Sequence, residues 1–434
     1  VLTLCILLLF LAYSTEQIVR IWPSTGLLSL RRSAPATATV PVATAAGTAG
    51  AASGAGVLYP HAPIRLPGGV SPNLSYLPKG HTFVYEDTQH IYTLAAGASD
   101  GKPVQLITPG FTYNRAVPPL VTANKQLIYG GDTGIWLIDL QAPVGQPQQL
   151  ASWPAGQVLT SLKVSSDGST IAYSRAPANG SGQLEIYAGP LHSSQLIYRA
   201  TAGRLPSFRV FDFLHGSNTT LLLSDDRGDH RSAWYGLWSL TFSGKTAQPP
   251  RALLLDQPQQ GPLTLTNQGN TLLYSSALLY APTPYFNVPA DIHSLNYANS
   301  LTIATIDPTS QRLVATKELI PPQGDLANTS LYRWIDQPRF SPNDQTLAYV
   351  EFSSMQGSTS PRFSALYTMS STGQGGTTLA ATAPVNYIEM DGWLDNHTLL
   401  FYADNALYAF NMQQHSLALL TATTGYAHIL ATLS

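Results

Sequence analysis

One pattern recurs seven times along this 434-residue chain, and nothing else in the sequence restricts the fold as strongly. It is a short apolar segment ending in an aromatic or leucine anchor: TFVY at Tyr85, QLIY at Tyr129, TIAY at Tyr173, TLLL at Leu223, TLLY at Tyr274, TLAY at Tyr349 and TLLF at Phe401. Successive anchors lie 44, 44, 50, 51, 75 and 52 residues apart. A polar turn such as SSDGS or SPNDQ precedes each anchor. A second apolar stretch follows each one, HIYTL after the first and ALYAF after the last.

A unit of this size holds about four short strands. One such antiparallel sheet has two apolar faces and cannot hide them alone. Neighbouring sheets cover them, and closing the ring covers the last pair. The expectation is an all-β protein: a β-propeller of seven blades with four antiparallel strands each, six or eight blades being the alternatives. Within a unit, the first strand precedes the polar turn (Tyr332 to Phe340 in the sixth) and the anchor segment is the second. Either Val57 to Leu66 or Tyr426 to Leu433 supplies the strand that closes the ring.

Composition agrees with a turn-rich β protein: 34 Gly, 32 Pro and only 11% charged residues, with net charge −2. Phosphate binding needs clustered Lys and Arg, and no such cluster occurs, so nucleic acid is not an expected partner. The single cysteine, Cys5, lies in the N-terminal apolar run, so the folded part has no disulfide and no thiol nucleophile or ligand.

That run, Val1 to Tyr13, is almost wholly apolar, yet shorter than the roughly 20 residues of a membrane-spanning helix. Residues 1–32 read as a signal peptide, or as a truncated membrane anchor with its flank. Arg20, Arg31 and Arg32 weigh against export of that side. Residues 33–56 (SAPATATVPVATAAGTAGAASGAG) carry no charge and almost no large side chain, the composition of a disordered tether. The propeller is expected over residues 57–434. The location implied is extracytoplasmic (cell surface, periplasm or secreted), tethered to a membrane through the N-terminal segment only.

Two of the repeats, FSPNDQTLAYVEF (Phe340 to Phe352) and VSSDGSTIAYSRA (Val164 to Ala176), resemble the signature of TolB-type, WD-like bacterial propellers, a Ser-Pro-Asp-Gly turn followed by an apolar strand. The resemblance spans roughly residues 70–434, although the other five copies keep the apolar pattern and lose the turn residues. It implies a propeller and no particular activity, because that family includes binding scaffolds, sensor domains and peptidase lids. Asp167 and Asp344 are read as turn-formers, their carboxylates accepting downstream N–H groups.

Function is expected where the copies diverge. From the anchor to its partner on the third strand is 7 residues for Tyr85–Tyr92, Tyr129–Trp136 and Phe401–Tyr408. It grows to 14 for Tyr173–Tyr187, 15 for Leu223–Trp238, 29 for Tyr274–Ile303 and 18 for Tyr349–Tyr367. These four loops belong to consecutive blades and emerge on one face, the usual way a rigid scaffold carries a site. The expected partner-binding residues are Arg175 in the first loop, and Asp226, Arg227, Asp229, His230 and Trp234 in the second. The third contributes Tyr280, Tyr285, Phe286 and Tyr297, aromatics that give contact area at low entropic cost. Met355 and Arg362 come from the fourth. The order of acids around His230 fits neither a calcium loop nor a zinc motif, so no metal is assigned. No cofactor motif occurs either.

Neither a Gly-x-Ser-x-Gly elbow nor a His-Glu-x-x-His motif is present. The leading expectation is therefore a protein that is not an enzyme and binds a protein, peptide or glycan. One alternative is the extracellular sensor domain of a membrane signalling protein. Another is a hydrolase or lyase on carbohydrate or peptide, whose carboxylates would come from separate blades: Glu185, Asp291, Glu351 and Asp391.

Overall fold

The computed structural model describes residues 62–433, apart from 76–79, 89, 96–102, 107–112, 115, 143–145, 180–183, 201–206, 226–234, 255–259, 268, 277–299, 322–330, 356–362 and 384–387. These residues form a seven-bladed β-propeller. Helical structure among them is limited to one 3-10 turn, Pro67–Gly69.

Blades two to seven each begin with their own first strand: Leu120–Val121, Gln157–Val164, Phe208–Phe213, Gln260–Leu265, Leu331–Phe340 and Ile388–Trp393. The next three strands follow in sequence and pair antiparallel, except that in blade four both Thr246–Ala247 and Arg251–Leu254 pair with the third strand, Tyr235–Ser243. Blade three, for example, continues through Thr170–Pro177, Glu185–Pro190 and Gln195–Arg199. Blade one differs. Its second strand is Thr82–Glu86, and the position before it is filled by the C-terminal His428–Leu433, with Glu86 opposite His428. Of the two segments proposed for closure, the C-terminal one performs it. The N-terminal segment instead edges the ring. Asn73–Leu74 pairs parallel with the outer strand of blade seven, Ser416–Ala422, and Arg65 bridges to Thr382 on the outer strand of blade six.

The anchors pair as their spacing predicts. Tyr85 faces Tyr92, Tyr129 faces Trp136, Tyr173 faces Tyr187, Leu223 faces Trp238, Tyr349 faces Tyr367 and Phe401 faces Tyr408. Blade five is one residue out: Tyr274 faces Thr302, and Leu273 faces Ile303. The apolar alternation of LTIATID puts a threonine there, which the hydrophobic pattern alone does not locate. Four of these pairs stack, with ring centroids 5.1–5.5 Å apart, the offset geometry that cross-strand aromatics favour.

Alternate strand directions give the ring two faces. The hairpins between second and third strands and the connections between blades lie on one, here the loop face. The polar turns between first and second strands lie on the other, the turn face. There the turns bond from blade to blade. Asn218 Nδ2 donates to Asp167 (2.8 Å), Asn267 donates to Asp344 through both its backbone N–H and Nδ2 (3.0 and 2.9 Å), and the Asn343 N–H donates to Asn396 (3.1 Å). Gly168, at φ +74°, would bring a Cβ within 2.9 Å of the Asn124 side chain. Glycine adopts this backbone conformation without strain, and blade six holds the matching position with Asp344 at φ +57°.

A second set of links joins the first strands around the axis. Most of these strands carry a bulge, and its side chains reach the next blade. Ser161 Oγ accepts from the Val210 N–H (2.9 Å), Gln337 Oε1 from Met390 (2.6 Å) and Asp391 Oδ2 from Ile429 (3.0 Å). A bulge leaves a residue outside the ladder; in blades six and seven that residue, Gln337 or Asp391, is the cross-blade staple, and in blade three the staple is Ser161, next to the unpaired Thr160.

Candidate functional site

Two charged regions lie along the ring axis, and a third at the foot of the first long hairpin. The loop-face region sits at the seam where blade seven meets the closing strand. His428, at the start of that strand, has Nδ1 2.9 Å from Asp391 Oδ1 and Nε2 3.4 Å from Glu389 Oε1. Glu86 stands beside it on the second strand of blade one and accepts from the Tyr113 hydroxyl. The Tyr426 ring meets the imidazole edge-on at 4.5 Å. Burial works against an imidazolium here, but the hydrogen bond to Asp391 and the charges of Asp391, Glu389 and Glu86 outweigh it. The His428 pKa is raised above its ordinary value.

The turn-face region is a cavity of about 410 Å³ at the other end of the axis. Its lining comes from the first strands of blades three, four, five and six and from residues 117–120 leading into blade two, an arrangement only the axis allows. The charged side chains in it are Lys163, Asp212 and Arg339.

On blade three, Glu185 is held from both sides. Arg175 Nη2 lies 2.8 Å from its Oε2, and Arg199 Nη2 lies 2.7 Å from its Oε1. The Arg175 guanidinium also sits 4.5 Å from the centre of the Tyr187 ring. Burial raises the Glu185 carboxyl, but the hydrogen bonds from Arg175, Arg199 and Tyr187 outweigh it and hold it below the ordinary value. On blade six, burial lifts the Glu351 carboxyl, and Arg333 at 4.0 Å only partly offsets this.

Of the residues expected from sequence to bind a partner, Arg175 is therefore part of a cross-strand clamp at the base of the blade-three hairpin. Met355 ends the second strand of blade six, where its backbone pairs with Leu331. Asp226, Arg227, Asp229, His230, Trp234, Tyr280, Tyr285, Phe286, Tyr297 and Arg362 lie outside the described residues, as does Asp291. Glu185, Glu351 and Asp391 each belong to a different blade, and each has its own partner. Sequence reasoning did not single out Glu86, Glu389, His428, Lys163, Asp212 or Arg339. One signal was available, since choosing Tyr426 to Leu433 as the closing segment places His428 beside the axis.

No family model and no curated protein matches this chain. Solved structures do. Prolyl oligopeptidase B from Galerina marginata, bound to a 35mer hydrolysis and macrocyclization substrate, aligns with a TM-score of 0.52 at 12% identity, over 82% of this chain and 51% of its own. This chain thus spans about half the length of that protein. Oligogalacturonate lyase from Vibrio parahaemolyticus aligns with a TM-score of 0.45 at 13% identity, over 81% and 87% of the two chains. An oligogalacturonate lyase in complex with manganese gives 0.47 at 13%, over 80% and 85%. At these identities the likeness is one of fold.

The comparisons correct one expectation. The absence of catalytic sequence motifs predicts a protein that is not an enzyme. Yet solved structures that share the fold include enzymes, among them prolyl oligopeptidase B and a prolyl endopeptidase, at TM-scores of 0.52 and 0.51 and 12% and 11% identity. A propeller can draw reacting groups from several blades, so a missing linear motif does not argue against catalysis.

Proposed function

We propose that this is a TolB-type, extracytoplasmic propeller, tethered through its N-terminal segment, that captures a protein, peptide or glycan on its loop face. The observation that supports it most is the uneven hairpin length on a regular scaffold. In blades one, two and seven the second and third strands turn over within a few residues, from Glu86 to Ile91, Gly130 to Gly134 and Ala403 to Ala406. In blades three to six the same pairing leaves 7, 9, 24 and 7 residues between strand ends, Pro177 to Glu185, Asp225 to Tyr235, Ser276 to Leu301 and Met355 to Phe363. Extra chain on four neighbouring blades of one face costs loop entropy. A binding role explains its retention. Replacing residues 277–299 by a short turn tests this on peptide and glycan arrays: the full chain should bind a defined set of probes and the trimmed chain should not.

A second reading is favoured by the seam. His428, flanked by Asp391, Glu389 and Glu86 at the loop-face end of the axis, is an acid–base group. It supports a hydrolase or lyase acting on the captured carbohydrate or peptide. Turnover of pooled oligosaccharides and peptides that disappears in His428→Gln, with array binding retained, supports it. Absence of turnover by the wild type across both pools removes it.

A further inference from the structure

We propose that the turn-face end of the axial channel is a binding site for a free α-amino acid. The cavity, about 410 Å³, falls within the few hundred Å³ typical of small-ligand sites. Unlike most such sites it is lined largely by polar groups, Ser161, Thr264, Thr266 and Asn267 among them. A polar occupant is therefore required.

The two charges that define the site are not used by the fold. Arg339 donates from Nη1 only to the carbonyl of the preceding Pro338 (3.1 Å), and the bond from Trp393 to Arg339 uses its backbone oxygen. Asp212 accepts through Oδ1 from the N–H of the following Phe213 (2.8 Å). Among the described residues neither has an ion-pair partner, although both line one cavity. A guanidinium presents a planar fork of donors suited to a carboxylate, and a carboxylate suits an ammonium. A simple anion would leave Asp212 facing like charge, and a simple cation would leave Arg339 so placed. A ligand carrying both groups satisfies each. With Lys163 the lining holds two cations and one anion, so acidic amino acids are the preferred members of the class. The site lies on the face opposite the long hairpins and is independent of what they bind.

Isothermal titration of the full chain with the common amino acids, one at a time, tests the assignment. Glutamate or aspartate should bind and lysine should not. N-acetylglutamate, which lacks the ammonium, should bind at least about tenfold more weakly, a difference of about 1.4 kcal/mol. Arg339→Gln and Asp212→Asn should each weaken glutamate binding by a similar factor while thermal melting shows the fold intact. The proposal is overturned if no amino acid binds at millimolar concentration. It is equally overturned if N-acetylglutamate binds as well as glutamate, a comparison that needs only the wild-type protein, or if both folded variants bind unchanged.

Discussion

His428 and Asp391 lock the ring at the seam between the last blade and the first, Nδ1 to Oδ1 at 2.9 Å, while the second Asp391 oxygen accepts the Ile429 N–H at 3.0 Å. One carboxylate therefore holds both the side chain and the backbone of the closing strand. It leaves the first strand of blade seven at a bulge, the same device by which Gln337 reaches Met390 one blade earlier.

The pH dependence follows from this contact. His428 has a raised pKa in the folded state, so its protonated form is favoured by folding. That stabilisation is fully present below the unfolded value, about 6.5, and is lost as pH rises through the folded value. Denaturant unfolding at several pH values between about 5 and 9 should show stability falling over the upper part of that range. His428→Asn should flatten that part of the curve.

Asp391→Ala removes a buried charged acceptor from two donors. The expected loss is roughly 2–4 kcal/mol, measured by urea unfolding. Asp391→Asn keeps an acceptor for Ile429 and should lose less.

Asp344 shows how the polar turns act between blades. It sits at φ +57° and accepts both donors of Asn267. Asn tolerates that backbone conformation and retains an oxygen, so Asp344→Asn should stay within about 0.5 kcal/mol of wild type. Asp344→Ala should cost about 1–2 kcal/mol. Equal losses in the two variants would mean that the carboxylate's charge, and not its turn geometry, matters.

Phe401 has 0% exposure and stacks on Tyr408. Phe401→Ala should destabilise the protein by roughly 3–5 kcal/mol. Because blades share faces, the transition should remain a single step by circular dichroism and fluorescence.

The fold was legible because its signal is repeated. Seven anchors with polar turns specify strand type, hairpin position and, in six of seven cases, the pairing partner. Blade five slipped by one because Thr302 and Ile303 both satisfy an alternating pattern, and register there depends on packing that a single strand does not encode. Closure was narrowed to two segments and no further, since the strand that closes a ring looks locally like any other. The axial groups were illegible for a different reason. His428, Asp391, Glu389 and Glu86 come from three strands at opposite ends of the chain, and Lys163, Asp212 and Arg339 from three blades. No linear motif joins them. Topology alone does. The long hairpins were the reverse case, found from sequence by length, with most of their side chains lying outside the described residues.

The central functional claim is that the extra chain on blades three to six forms the capturing surface. It is tested most directly by comparing the full chain with a version whose residues 277–299 are replaced by a short turn, on the same peptide and glycan arrays and with matched melting curves. Unchanged melting and loss of the bound probes is the expected result. Unchanged binding by the trimmed protein would contradict it.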